Sequence, residues 1–246
     1  KVVDWLSKAP TMEPVALAKG LMIESGPLRL EASAGGTGLR IAMDGVPFVE
    51  LGGYVHQVFP GGGETWPAAD RLVSLAFGEN ERVQVVDFVL EKEASADGRI
   101  CAYQGAWRVW APKQDDSWIA TQCLWVRNAD TRPWRLNSMF TYGVPLIRDA
   151  HPWRYLTGAG ALLWNEDACR GIGFVSVPNS SMAGSALVGD SDPLSLGLWS
   201  AFNKELGPGK KLRGPSTMVF VFSTHDGSVQ AFEREQSRIL SHVCVF

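Results

Sequence analysis

The chain has 246 residues, 46% of them hydrophobic and 20% charged, with a formal net charge of -3 and a pI near 5.8. This composition excludes intrinsic disorder, and a chain of this length buries roughly three quarters of its unfolded surface without a metal or disulfide staple. The charge argues against a nucleic-acid partner, because no basic stripe exists to displace counterions; the densest basic run, "GKKLR" at 209–213, sits among Gly and Pro and reads as a solvated turn.

From the N-terminus, a short helix is expected near 3–8. Short runs rich in Val, Ile, Leu, Phe and Trp then predict strands near 20–24, 27–33, 38–43, 47–50, 72–77, 83–92, 100–110, 118–128, 134–142, 161–165, 171–177, 196–202 and 216–223. Between them "SAGGTG" (33–38), "MDG" (43–45), "ADG" (96–98) and "NADT" (128–131) carry the Gly and Asn that turns with positive φ require. A last amphipathic helix is expected over 228–242, where Val229, Phe232, Ile239, Leu240 and Val243 roughly share a stripe behind "DGS". Strands at this spacing without alternating helices predict an all-β, mainly antiparallel fold, a large sandwich or supersandwich, as one domain over 1–246.

No run approaches the roughly 18 apolar residues of a membrane span, so no membrane partner is expected. The chain begins with Lys1, which reads as a processed protein or a piece of a longer one, and export would fit a removed leader. Cys101, Cys123, Cys169 and Cys244 show no CxxC spacing, so a zinc site is not expected. Two disulfides or four buried thiols would both satisfy their spacing. Oligomeric state is open.

Three long stretches lack a strand pattern: 52–71, 147–160 and 177–193. Loops of that length in a compact domain usually bind something or are disordered. The first carries His56, Glu64 and Trp66, and the second Asp149, His151, Trp153, Arg154 and Tyr155. A His beside a carboxylate can act as acid or base near neutral pH, and a Tyr can complete a proton-transfer pair, so His56, His151, Glu64 and Tyr155 are the candidate catalytic residues. No HExxH, GxSxG, GxGxxG or P-loop is present, and neither a metal nor a cofactor is expected.

Four of the ten tryptophans fall in "QGAWRVWAPKQDDSWIATQCLWVRN", 104–128. Read as a hairpin, the simplest register sets Trp110 opposite Trp118 and Arg108 opposite Ala120. Alternation then sends Cys101, Tyr103, Trp107, Val109, Ile119, Cys123 and Trp125 to the core face. The other face mixes indoles with hydrogen-bonding groups: Gln104, Arg108, Trp110, Trp118 and Gln122. Such a mixture suits a sugar, whose C–H faces stack on indole while its hydroxyls need fixed polar partners. A covered cross-strand Trp pair capped by Arg108 would give the same pattern, and Leu124 and Val126 on that face favour it. The candidate substrate-binding residues are Trp66, Arg108, Trp110, Trp118, Gln122, Trp153 and Arg154, with the arginines able to hold an acidic sugar.

The succession "GPLRLEASAGGTGLRIAMDGVPFVE", "WRVWAP…SWIATQCLWVRNADTRPWRL", "GIGFVSVP" and "ELGPGKKLRGPSTMVFVFSTHDGSVQAFERE" resembles the galactose-mutarotase-like β-supersandwich, in which a late "lxPGexl" segment, similar to "LGPGKKL" here, precedes a strand. The resemblance implies carbohydrate work: epimerisation, polysaccharide lysis, or a supporting domain of a glycoside hydrolase. Its two-His-and-Glu site does not map residue by residue onto His56, His151 and Glu64. Two readings therefore stand: a saccharide-binding or saccharide-processing sandwich, or a non-catalytic structural or protein-interaction domain of a larger secreted protein. Loops 52–71 and 147–160 gathered beside the Trp110 face would favour the first, and buried tryptophans with the loops apart the second.

Overall fold

The computed structural model describes residues 10–32, 36, 38–43, 45–113, 118–145, 153–157, 160–165, 170–176, 183–188, 195–214, 216–223, 230–231, 233–234 and 237. Its strands, in chain order, are β1 (Glu13–Pro14), β2 (Leu21–Ser25), β3 (Leu28–Ala32), β4 (Leu39–Met43), β5 (Val46–Val58), β6 (Glu64–Thr65), β7 (Arg71–Glu79), β8 (Val83–Lys92) and β9 (Tyr103–Pro112). There follow β10 (Trp118–Asn128), β11 (Trp134–Pro145), β12 (Trp153–Thr157), β13 (Gly160–Asn165), β14 (Arg170–Ser176), β15 (Ala183–Val188), β16 (Ser195–Leu206), β17 (Lys211–Leu212) and β18 (Ser216–Ser223).

Ten strands form sheet A in the order β1-β7-β8-β9-β10-β18-β14-β13-β12, with β17 added on β10. Eight form sheet B in the order β15-β16-β11-β5-β4-β3-β2, with β6 added on β5. The pairings in both are antiparallel, as expected for hairpins punctuated by Gly, Asn and Asp. Alternate residues of the two sheets meet in one core. Sheet B gives Leu28, Leu30, Leu39, Ile41, Leu51, Val55, Leu136 and Met139; sheet A gives Leu75, Val86, Phe88, Leu90, Trp107, Val109, Ile119 and Val126. Gln57, fully buried, ties the sheets by copying a backbone pair: its Nε2 donates to the Cys101 carbonyl at 2.8 Å and its Oε1 accepts from the Cys101 N–H at 3.1 Å.

Five strands went unpredicted. β6, β12 and β15 lie inside the three stretches read as irregular, so each of these contains a strand that pairs with a neighbour. β1 and β17 are two residues each, below what periodicity can detect. β17 also corrects the reading of "GKKLR": only Gly209 and Lys210 belong to the turn, while Lys211 and Leu212 pair with Arg127 and Val126. That turn is held by Asn128, whose backbone bonds Gly209 and Lys210 and whose side-chain amide donates to the Leu206 carbonyl (2.7 Å) and, in the β10–β11 turn, to that of Arg132 (2.8 Å). Of the expected terminal helix, Gln230, Ala231, Glu233, Arg234 and Ser237 have helical backbone. Its remaining residues and the expected helix at 3–8 lie outside the described residues.

The β9–β10 hairpin differs from the simplest register by two residues: Trp110 faces Ala120 and Arg108 faces Gln122, while Trp118 pairs with Phe220 of β18. An even slip keeps each side chain on its face. A bulge at Leu124 then exchanges the faces, so that Cys123 pairs with Trp107 but Trp125 with Ala106. Beyond it Val126 turns inward and Trp125 outward, under the Lys211 ammonium at 4.0 Å, the reverse of the expectation for both. Gly105 sits at the bulge because the Trp107 indole folds over it; a Cβ there would lie 2.2 Å from the ring. Cys101 and Cys123 are free and buried, and burial pushes the Cys123 thiol up to about 12. Cys169 and Cys244 lie outside the described residues.

Candidate functional site

Along β5, Val55 and Gln57 point into the core, so His56 and Val58 point out of sheet B. Beyond the reach of β4 the edge of β5 is taken by the chain doubling back on itself. Val58 pairs with Glu64 and Gln57 with Thr65, and the Val55 N–H donates to the Pro67 carbonyl at 3.2 Å. The reversal runs through Gly61, Gly62 and Gly63 at φ of 88°, 95° and 101°, a region where L side chains are strained. This return sets Glu64 and Trp66 on the same outward face as His56.

The three side chains meet. Trp66 stacks on the His56 imidazole with centroids 4.1 Å apart and planes 13° from parallel. His56 Nε2 lies 2.9 Å from Glu64 Oε2. From the other side Asn137 Nδ2 donates to His56 Nδ1 at 3.0 Å. His56 is only 7% exposed, whereas Trp66 is 45% exposed and the Glu64 side chain 65%. A buried imidazole thus backs an open indole and an open carboxylate.

Asn137 was not singled out from the sequence. Opposite it the ladder breaks: Leu136 pairs with Gln57 and Ser138 with His56, leaving Asn137 as an extra residue against β5. The β11–β16 pairing is irregular at the same level, where Leu136 faces Lys204 and Ser138 faces Ala201. Within that interval Asn203 has φ of 49°, alone among described non-glycine residues in being positive. The bulge puts Asn137 and Ser138 on one face and aims the Asn137 amide at His56; bulges are a common way to re-aim a side chain beside a site. The available signal was "LNSM", where two polar residues in succession interrupt the alternation of β11.

The other predicted residues lie elsewhere. Trp107, Val109 and Ala111 fill the core, so Arg108 and Trp110 sit on the face of sheet A turned away from sheet B. Trp110 is 5% exposed and Trp118 4%, and as folded neither indole offers a face to a sugar. Arg108 is committed to Asp87 by two parallel bonds of 2.6 Å, over the Trp110 ring. Gln122 faces the Arg213 guanidinium, from which its amide oxygen accepts once the amide is turned. The cross-strand Trp110–Trp118 pair of the alternative reading is not formed, since Trp110 faces Ala120 and Trp118 faces Phe220, but both indoles are buried and Arg108 lies over Trp110 as that reading expected. Trp153, Arg154 and Tyr155 belong to β12, the edge strand of sheet A, and their side chains, like all of His151 and Asp149, lie outside the described residues. The predicted site is therefore divided: His56, Glu64 and Trp66 come together on sheet B, and Arg108, Trp110, Trp118 and Gln122 lie on sheet A. Among the described residues no cluster of His, Cys, Asp and Glu could hold a metal ion, and no helix is long and apolar enough to cross a membrane.

No protein-family model and no curated protein sequence matches the chain. Solved structures do. The GH36 alpha-galactosidase AgaA from Geobacillus stearothermophilus, in complex with raffinose, superposes at a TM-score of 0.55 and 8% identity over 87% of this chain and 42% of that one. The alpha-N-acetylgalactosaminidase NagBb from Bifidobacterium bifidum, in complex with GalNAc, gives 0.52 and 8% over 90% and 38%. The Slr1438 protein from Synechocystis sp. PCC 6803 gives 0.52 and 11% over 88% and 98%. The chain spans less than half the length of the two glycosidase structures. At these identities the likeness is one of fold alone, a large antiparallel β-sandwich that these proteins share with this chain.

Proposed function

We propose that the chain binds a saccharide on the outer face of sheet B, with Trp66 as the stacking platform and Glu64, Asn137 and His56 as the polar group beside it. The observation that carries this reading is the open indole of Trp66 held flat by a buried His56 that is itself fixed by Glu64 and Asn137. An aromatic face with a few oriented polar atoms meets both halves of a sugar ring, its C–H surface and its hydroxyls. Ordering the platform before the ligand arrives lowers the entropic cost of binding. The His56–Glu64 pair also equips the site for proton transfer to or from a bound hydroxyl. The carbohydrate-processing fold neighbours support the ligand class.

A second reading, a non-catalytic sandwich domain within a larger protein, is favoured by the burial of Trp110 and Trp118 and by the glycosidase structures, which extend well beyond the region this chain matches. Affinity electrophoresis through gels holding a panel of neutral and acidic polysaccharides tests the first reading, joined by tryptophan fluorescence with mono- and disaccharides. Retardation or quenching by at least one sugar is expected. No response in any gel or titration contradicts saccharide binding and leaves the second reading standing.

A further inference from the structure

We infer that Asn137 is a positioning residue that fixes His56 as the neutral tautomer protonated on Nε2, directing that proton to Glu64 and the open face of the site. The inference deepens the saccharide reading, but the hydrogen-bond geometry that carries it requires no ligand. An ionised carboxylate can only accept, so the 2.9 Å contact between Glu64 Oε2 and His56 Nε2 places a proton on Nε2. The Asn137 amide nitrogen can only donate, so its 3.0 Å contact makes Nδ1 the acceptor. The two contacts together specify one tautomer, and the bond at one ring nitrogen sets the state of the other.

The backbone supports this role. Asn137 reaches His56 because β11 carries an extra residue against β5, with β16 irregular at the same level and Asn203 at φ of 49°. Regular pairing would put successive residues of β11 on opposite faces. Here Leu136 fills the core while both Asn137 and Ser138 stand on the side of His56. Trp66 covers one face of the ring, so a half-turn of the imidazole would have to pass through a broken stack and would end with both hydrogen bonds lost. Asn137 acts through His56, whereas Glu64 and Trp66 are the groups that reach solvent.

The test is nitrogen-15 NMR of the histidine rings in the full chain, with the His56 signals assigned by their loss in His56→Gln. The wild type is expected to show a protonated, pyrrole-type Nε2 and an unprotonated, pyridine-type Nδ1. Asn137→Ala, which leaves the Glu64 contact in place, is expected to keep the proton on Nε2 and to shift the Nδ1 signal alone, through loss of its hydrogen bond. Asn137→Asp, whose carboxylate can only accept, is expected to place a proton on Nδ1. A wild-type ring protonated on Nδ1 overturns the proposal even if neither variant folds, and so does an Asn137→Asp ring with the wild-type pattern. Because no sugar is present, the expected tautomer without any glycan binding would sink the saccharide reading and leave the positioning role intact.

Discussion

The two outer faces of the sandwich use the same residue types in opposite ways. On sheet A, Trp110 and Trp118 are buried and Arg108 is paired with Asp87. On sheet B, Trp66 is open, and its neighbours His56, Glu64 and Asn137 are bonded to one another rather than to the core. Indole and charge in the same stretch of sequence therefore do not define a site. What separates the faces is whether the polar partners cancel each other under cover or hold an aromatic ring against solvent.

The sharpest way to break the comparison is Trp110→Ala. Removing a buried indole costs about 3–5 kcal/mol. A marked fall in the denaturation midpoint is expected, with saccharide retention by the folded fraction unchanged. A stable variant that loses retention would move the site to sheet A. Next in size is Asp87→Ala, which leaves the partly buried Arg108 guanidinium without its acceptor and costs about 1–3 kcal/mol in urea unfolding. Acquired affinity for an acidic polysaccharide would show that Asp87 masks an anion site; none is expected.

A smaller effect concerns the β10–β11 turn joining the two sheets. The Arg132 guanidinium, with the N–H groups of Arg132 and Ala102, holds the Asp130 carboxyl well below the usual carboxylate range against the opposing effect of burial. A depressed folded pKa gives stability that is fully present above the unfolded value and lost as pH falls through the folded one. The stability gap between wild type and Asp130→Asn is therefore expected to be largest near neutral pH and to shrink steadily as unfolding is measured below about pH 4. A gap that widens in acid would contradict that linkage.

Most of the fold was legible because thirteen of its strands are long enough to show an apolar period bounded by turn residues. The misses follow from chemistry as much as length: "AGSALV" in β15 has few of the β-branched and aromatic residues that mark a strand. The hairpin faces were half legible. Parity survives a two-residue slip, but the bulge at Leu124 that reverses Trp125 and Val126 leaves no local mark except Gly105 on the partner strand. In the cluster on sheet B, His56, Glu64 and Trp66 could be grouped from the sequence because one short reversal carries all three. Asn137 could not, because eighty-one positions separate it from His56 and only strand pairing makes them neighbours.

The smallest expected change in stability accompanies the largest in function. Trp66 is exposed, so Trp66→Ala should alter stability by no more than roughly 1 kcal/mol. The most direct measurement is retardation of wild type, Trp66→Ala and Trp110→Ala side by side in a gel of whichever glycan holds the wild type. Release of Trp66→Ala with continued retention of folded Trp110→Ala is the predicted result. Retention of Trp66→Ala at the wild-type level would contradict the assignment of the saccharide site to sheet B.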